Sequence, residues 1–119
     1  MNPHAVTREF EAALCAYTGA PFAVAVNSCT SALLLAVAWH LRDMEYAGAS
    51  KGSDISDNTL MRCRPPIEIP KRTYVGVPMS IIHAGGRPTF RDEDWKGWYQ
   101  LRPLPVWDSA RWLSGGMYN

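Results

Sequence analysis

At 119 residues the chain has room for one compact domain and not for two, because smaller units bury too little surface to be stable alone. With 47% hydrophobic and 19% charged residues the composition is that of an ordinary soluble globular protein, which excludes wholesale disorder. Lys and Arg number 12 against 11 Asp and Glu, and a net charge of +1 gives no blanket attraction to nucleic acid or to an acidic membrane surface. Cys15, Cys29 and Cys63 are an odd number with neither a C-x-x-C pair nor metal-ligand spacing, so no metal site is expected and a reducing, cytoplasmic setting is favoured over a disulfide scaffold. Residues 1–13 mix His4, Arg8, Glu9 and Glu11 among apolar positions and do not read as a signal peptide. The longest apolar run, 32–39, falls far short of the roughly 20 residues that cross a bilayer, so no membrane partner is expected.

In chain order, Val6, Phe10, Leu14 and Tyr17 recur at helical spacing and predict an amphipathic helix over 3–17, with Pro3 in its first turn and Gly19 as its C-cap. Residues 22–26 are a short apolar run between Pro21 and Asn27 and predict a buried strand, after which 27–30 form a polar turn and 31–42 a second helix. Residues 43–65, rich in Gly, Ser, Asp and Asn, read as a surface loop or insertion. A short strand over 67–69 stops at Pro70, and 74–83 has the spacing of a helix closed by Gly85 and Gly86, against the preferences of Gly76 and Pro78. Strands at 87–91, 98–101 and 104–107 follow, with a charged turn over 92–97. Strands alternating with helices predict an α/β fold over 1–119, three-layer αβα, with a mostly parallel sheet covered on both faces.

Three places could carry chemistry. The small residues of A-V-N-S-C-T-S-A-L, 25–33, would let backbone amides at a helix N-terminus face an anion such as phosphate, although a plain N-cap served by Ser28 or Thr30 accounts for the same residues. Asp108 follows the apolar run 104–107 and would emerge at a strand's C-terminal end, where ligands bind in open α/β sheets; it could hold a pyridine nitrogen protonated, or merely cap the next turn. Tyr74 could stack on a flat ring or fill the core. His4, His40 and His83 lack partners at useful spacing and are assigned no chemistry. The aromatic residues of 95–118, interleaved with Lys96, Arg102 and Arg111, suit base stacking, but without net basic charge the phosphate contribution is small and a nucleic-acid partner is not expected.

Taken in order, these segments resemble the DegT/StrS family of sugar aminotransferases, pyridoxal-phosphate-dependent enzymes of fold-type I. F-E-A-A-L-C-A-Y-T-G-A, 10–20, is similar to the helix before the family's first large-domain strand, and A-V-A-V-N-S-C-T-S-A-L-L-L-A, 23–36, to its phosphate turn. I-P-K-R-T-Y-V-G-V-P-M-S-I-I-H-A-G-G-R-P-T-F-R-D, 69–92, resembles the next helix-strand unit, and P-V-W-D-S-A-R, 105–111, the strand that ends in the family's pyridine-nitrogen aspartate. The resemblance implies part of a fold-type I large domain with pyridoxal phosphate as cofactor. Cys29 and Thr30 would hold its phosphate, Tyr74 would stack on its ring, and Asp108 would pair with the ring nitrogen as a catalytic residue. The implied substrates are an amino-acid donor such as glutamate and a keto-sugar or related carbonyl acceptor, and the implied assembly is a homo-oligomer or a pair of complementing chains.

Departures from the family pattern carry their own implications. Cys29 stands where the phosphate turn usually has glycine, and Arg111 where Gln or His usually lies near the cofactor's phenolic oxygen. The stretch between Asp92 and Val106 is shorter than in the family, by about a helix and a strand. The family's Schiff-base lysine lies downstream of the aspartate strand, whereas Lys51, Lys71 and Lys96 lie upstream of Asp108 and match no lysine motif. A truncated or split chain, inactive by itself, is therefore expected. The competing expectation is a noncatalytic module of the same fold that binds an anion and joins a partner chain.

Overall fold

The computed structural model describes residues 2–42 and 64–119, so most of the expected insertion at 43–65 lies outside the described residues. Helix α1 spans Ala5–Thr18 and α2 spans Cys29–Leu41; β1 (Pro66–Pro70), α3 (Gly76–His83) and β2 (Arg87–Arg91) follow, then β3 (Tyr99–Gln100) and β4 (Trp107–Asp108). α1 stops at Gly19, whose φ of 84° is the left-handed conformation that glycine adopts without a Cβ penalty and that lets its N–H bond the Cys15 carbonyl. α2 begins at a true cap: Ser28 is extended, and its hydroxyl accepts from the Ser31 N–H at 3.1 Å.

The interior is a βαβ unit with α2 laid against it. β1 and β2 pair in parallel from Pro66 opposite Arg87 to Pro70 opposite Arg91, and α3 is the crossover between them. Leu33, Val37 and Leu41 recur every fourth residue and form the buried stripe of α2; Val77 and Ile81 do the same for α3, and both stripes meet Ile67 and Ile69 of β1 in one core. Tyr99, Leu101, Leu104 and Val106 extend that core into the second sheet, where β3 and β4 pair antiparallel, Tyr99 opposite Asp108. The two sheets are joined at β1, because Glu68 and Arg102 exchange backbone hydrogen bonds of 2.8 and 2.9 Å.

The sequence misjudged several boundaries. No strand exists at 22–26: Phe22 and Val24 are 85% and 81% exposed, and the Ala25 N–H donates to the Glu11 carboxylate at 2.9 Å. An apolar run meets a strand's side-chain preference, but a strand forms only where a neighbour supplies partners for its amides. The second helix starts at Cys29 rather than residue 31, because the cap is Ser28. The third starts at Gly76 rather than residue 74, so Tyr74 lies in the turn before it. The last two strands shrink to two residues each, and their pairing is antiparallel, so the described sheets are one parallel and one antiparallel pair and not a mostly parallel sheet.

Gly86 is where the core tolerates least. A Cβ there would lie 3.0 Å from Ile81, 3.2 Å from Ile67 and 3.2 Å from Leu41, three side chains from three different elements. Gly86→Ala should therefore lower unfolding stability by about 1–3 kcal/mol through overpacking, read as a lower midpoint in urea with an unchanged slope.

Candidate functional site

The N-terminal ends of α2 and α3 lie side by side, and β4 ends beneath them. Ser80, buried on α3, places its hydroxyl 2.7 Å from the Gly76 carbonyl and 3.2 Å from the Thr30 carbonyl, so one hydroxyl hydrogen is shared between the two helices. The approach is close enough that a Cβ on Gly76 would lie 2.9 Å from Thr30 Oγ1 and 2.9 Å from Tyr74 Cε1. Gly76, which counted against a helix in the sequence, is what brings Thr30 and Tyr74 together.

Cys29, Thr30, Leu33, Tyr74, Val77, Asp108 and Ala110 line one cavity of about 160 Å³. All four residues singled out from the sequence thus share one pocket, although 34 residues separate Tyr74 from Asp108 along the chain and 44 separate Thr30 from Tyr74. Tyr74 is 73% exposed, which is incompatible with a core-filling role. Asp108 is only 4% exposed. Its partners are side chains and not the amides of a following turn: Tyr99 Oη donates to Oδ2 at 2.5 Å, and the Cys29 thiol donates to Oδ1 at 3.6 Å. The helix start and the cap coexist, since Ser28 caps Ser31 while the amides of Cys29 and Thr30 belong to the first turn, where an α-helix provides no internal acceptor.

A second cavity of about 440 Å³ adjoins the first through Tyr74, Asp108 and Ala110 and adds Arg72, Trp95, Tyr99 and Arg111 to the surroundings. Arg111 is exposed and rests over the Trp95 ring at 5.9 Å, and Trp95 Nε1 donates to the Arg72 carbonyl at 2.7 Å. A third cavity, about 540 Å³, lies apart, lined by Thr18, Trp98, Pro105, Trp107, Ser109, Met117 and Tyr118. No charged side chain is among the residues that line it.

Tyr99 escaped the sequence reading. It sat in a predicted strand among several aromatics, and only its pairing opposite Asp108 across the β3–β4 ladder reveals that its hydroxyl serves the carboxylate. A tyrosine nine residues before an aspartate is no signal until a hairpin closes between them. Burial, and then the hydrogen bond to Asp108, push the Tyr99 phenol far above the usual tyrosine range. Burial likewise raises the Cys29 thiol, helped by the negative charge of Asp108. The raised phenol has a consequence with a definite sign. Folding favours the neutral form of Tyr99, so its stabilisation is complete below the unfolded tyrosine pKa of about 10 and is lost as pH rises beyond it. Denaturant melts between pH 9 and 11 should show wild type losing stability more steeply than Tyr99→Phe.

Among the described residues no helix is long and apolar enough to cross a membrane. The profile of the DegT/DnrJ/EryC1/StrS aminotransferase family matches residues 4–103. The spore coat polysaccharide biosynthesis protein SpsC of Bacillus subtilis (strain 168) is 33% identical over 87 residues, which cover 73% of this chain and 18% of that protein. The chain thus matches about a fifth of the length of that relative, and no solved structure matches it. Enzymes of this family depend on pyridoxal phosphate and have the fold-type I architecture. With its α/β core and a match running over most of its length, the chain belongs to the DegT/DnrJ/EryC1/StrS aminotransferase family.

Proposed function

We propose that this chain is the cofactor-cradling part of a pyridoxal-phosphate-dependent sugar aminotransferase, a partial three-layer large domain of fold-type I. The complete activity moves an amino group from an amino acid such as glutamate to a keto-sugar or related carbonyl. The observation that carries the reading is the convergence of Cys29, Thr30, Tyr74 and Asp108 on one cavity from the starts of two helices and the end of a strand. The residues fit the cofactor by the chemistry of their donors. The first-turn amides of α2 and the Thr30 hydroxyl suit a phosphate dianion, aided by the positive end of the helix dipole. The exposed Tyr74 ring suits stacking on a flat heterocycle. The buried Asp108 carboxylate suits a protonated ring nitrogen, to which it offers a charge-assisted hydrogen bond. When bound, the cofactor supplies an electron sink for negative charge developing at the α-carbon of the amino acid.

Asp108 is the residue on which that chemistry would turn, because its carboxylate would favour the protonated ring. Leu33 and Val77 close the floor of the cavity with apolar surface and keep water from the carboxylate. Neither described lysine lines the site, Lys71 and Lys96 both being exposed, so the residues described supply no amine for covalent attachment. On this reading the amine comes from outside the described residues, which do not transaminate by themselves. The free Cys15 and Cys29 suit a reducing, cytoplasmic setting. Pyridoxamine 5′-phosphate, which has no aldehyde to react with surface lysines, should bind the purified chain and change its fluorescence. Asp108→Asn should weaken that binding about 10- to 100-fold, the worth of a hydrogen bond to a charged group; no binding by wild type would count decisively against the site.

A second reading, a noncatalytic module of the same fold that assembles with another chain, draws on one observation. Val6, Phe10, Phe22 and Val24 are 75%, 55%, 85% and 81% exposed, a run of apolar surface along α1 and the segment after it. A defined homodimer, or a complex with a complementing chain, would cover it, and size-exclusion chromatography with light scattering should return a discrete oligomer; a well-behaved monomer removes this reading.

A further inference from the structure

Tyr99 is buried, at 2% exposure, and stands opposite Asp108 in the β3–β4 ladder. Its ring packs edge-on against Trp95 with centroids 4.8 Å apart, which fixes where the hydroxyl sits. That hydroxyl reaches Asp108 Oδ2 at 2.5 Å. The other oxygen, Oδ1, lies 3.6 Å from the Cys29 thiol, and both residues line the cavity that Thr30 and Tyr74 complete. A carboxylate free to rotate presents either oxygen; one held by a rigid phenol presents a single one.

We propose that Tyr99 is a positioning residue for Asp108: it binds Oδ2 so that Oδ1 is aimed at the cavity, where it receives the N–H of a cationic heteroaromatic ligand in exchange for the Cys29 thiol. The inference rests on the reading of the cavity as a pyridoxal phosphate site, and it adds the residue that aims the carboxylate. Three features carry it. The phenol and carboxylate are both nine-tenths or more buried, so water does not compete for their hydrogen bond. They stand opposite each other in the ladder, so backbone pairing sets their spacing. Tyr99 also lines the adjoining 440 Å³ cavity with Asp108 and Trp95, against whose ring it packs. Tyr99 touches no ligand atom in this arrangement and acts only through Asp108.

Two measurements separate this inference from the reading beneath it. The first needs no ligand. In a Cys15→Ser, Cys63→Ser background, alkylation of Cys29 by iodoacetamide reports whether Oδ1 stays against the thiol. Tyr99→Phe keeps the ring and removes only the hydroxyl; it should speed alkylation about threefold or more at pH 8, because a released carboxylate turns away and no longer disfavours the thiolate. The same change in an Asp108→Asn background should leave the rate unaltered, which a general loosening of the fold would not do. Equal or slower alkylation of Tyr99→Phe overturns the inference. The second measurement is pyridoxamine 5′-phosphate binding followed by the circular dichroism induced in the ring's absorption band. Tyr99→Phe should weaken binding about tenfold and diminish the induced band, with no further effect once Asp108 is Asn. Binding by wild type that Tyr99→Phe does not change overturns the inference and spares the site. Faster alkylation of Tyr99→Phe in a chain that does not bind the phosphate upholds the positioning and overturns the cofactor reading.

Discussion

One buried hydroxyl holds the site together. Ser80 lies between the carbonyl of Gly76, one turn before it in α3, and the carbonyl of Thr30 in the first turn of α2, and it ties together two helix starts whose buried stripes are apolar. Apolar packing is non-directional: Leu33 and Val37 against Val77 and Ile81 would tolerate a slide of one helix along the other. The shared hydrogen removes that freedom, and the absence of a Cβ at Gly76 permits the close approach it requires. With the two starts fixed, the Thr30 hydroxyl, the Tyr74 ring and the first amides of α2 acquire a common focus.

The carboxylate arrives by a separate route. Asp108 sits at the end of a two-residue strand, too short to be stable by its own ladder, and its position depends on how the β3–β4 hairpin is moored to the βαβ unit. Arg91 adds a second mooring to the Glu68–Arg102 backbone pair. From β2 its guanidinium donates to the Glu68 carbonyl of β1 at 2.8 Å and to the Gln100 carbonyl of β3 at 2.8 Å, and pairs with Glu93. Its side chain is only 10% exposed, so these bonds are made in an environment where leaving them unmade is costly. The planar fork of arginine suits this task, since it offers several donors in a fixed geometry to acceptors on different strands.

These two anchorages explain why Thr30, Tyr74 and Asp108 meet at one small cavity. The site lies where polar groups were already required for structure: a helix start with spare amides, a buried hydroxyl bridging carbonyls, and a carboxylate that burial obliges to find donors. The 540 Å³ cavity near Trp98 and Trp107 formed around aromatic rings instead and offers area without charge. Family membership accords with this distribution, because the match runs through both helix starts and into the stretch before Asp108.

The sequence by itself determined what local rules can determine. Helical spacing located α1, Gly19 ended it, and the polar turn at 27–30 announced a second helix, which starts two residues earlier than expected, at Cys29. The motifs in order also sufficed to name the family. Tertiary structure decided the rest, because pairing and burial are relations between distant residues. The run at 22–26 has the composition of a strand, yet it found no partner and remained exposed. The last strands were legible as apolar runs, but not as an antiparallel pair that sets Tyr99 opposite Asp108. Gly76 counted against a helix locally and proved necessary globally, since the space its missing side chain leaves is filled by Thr30 and Tyr74 from outside the helix. Residue types announce which interactions are possible; only the packed chain selects which of them share one place.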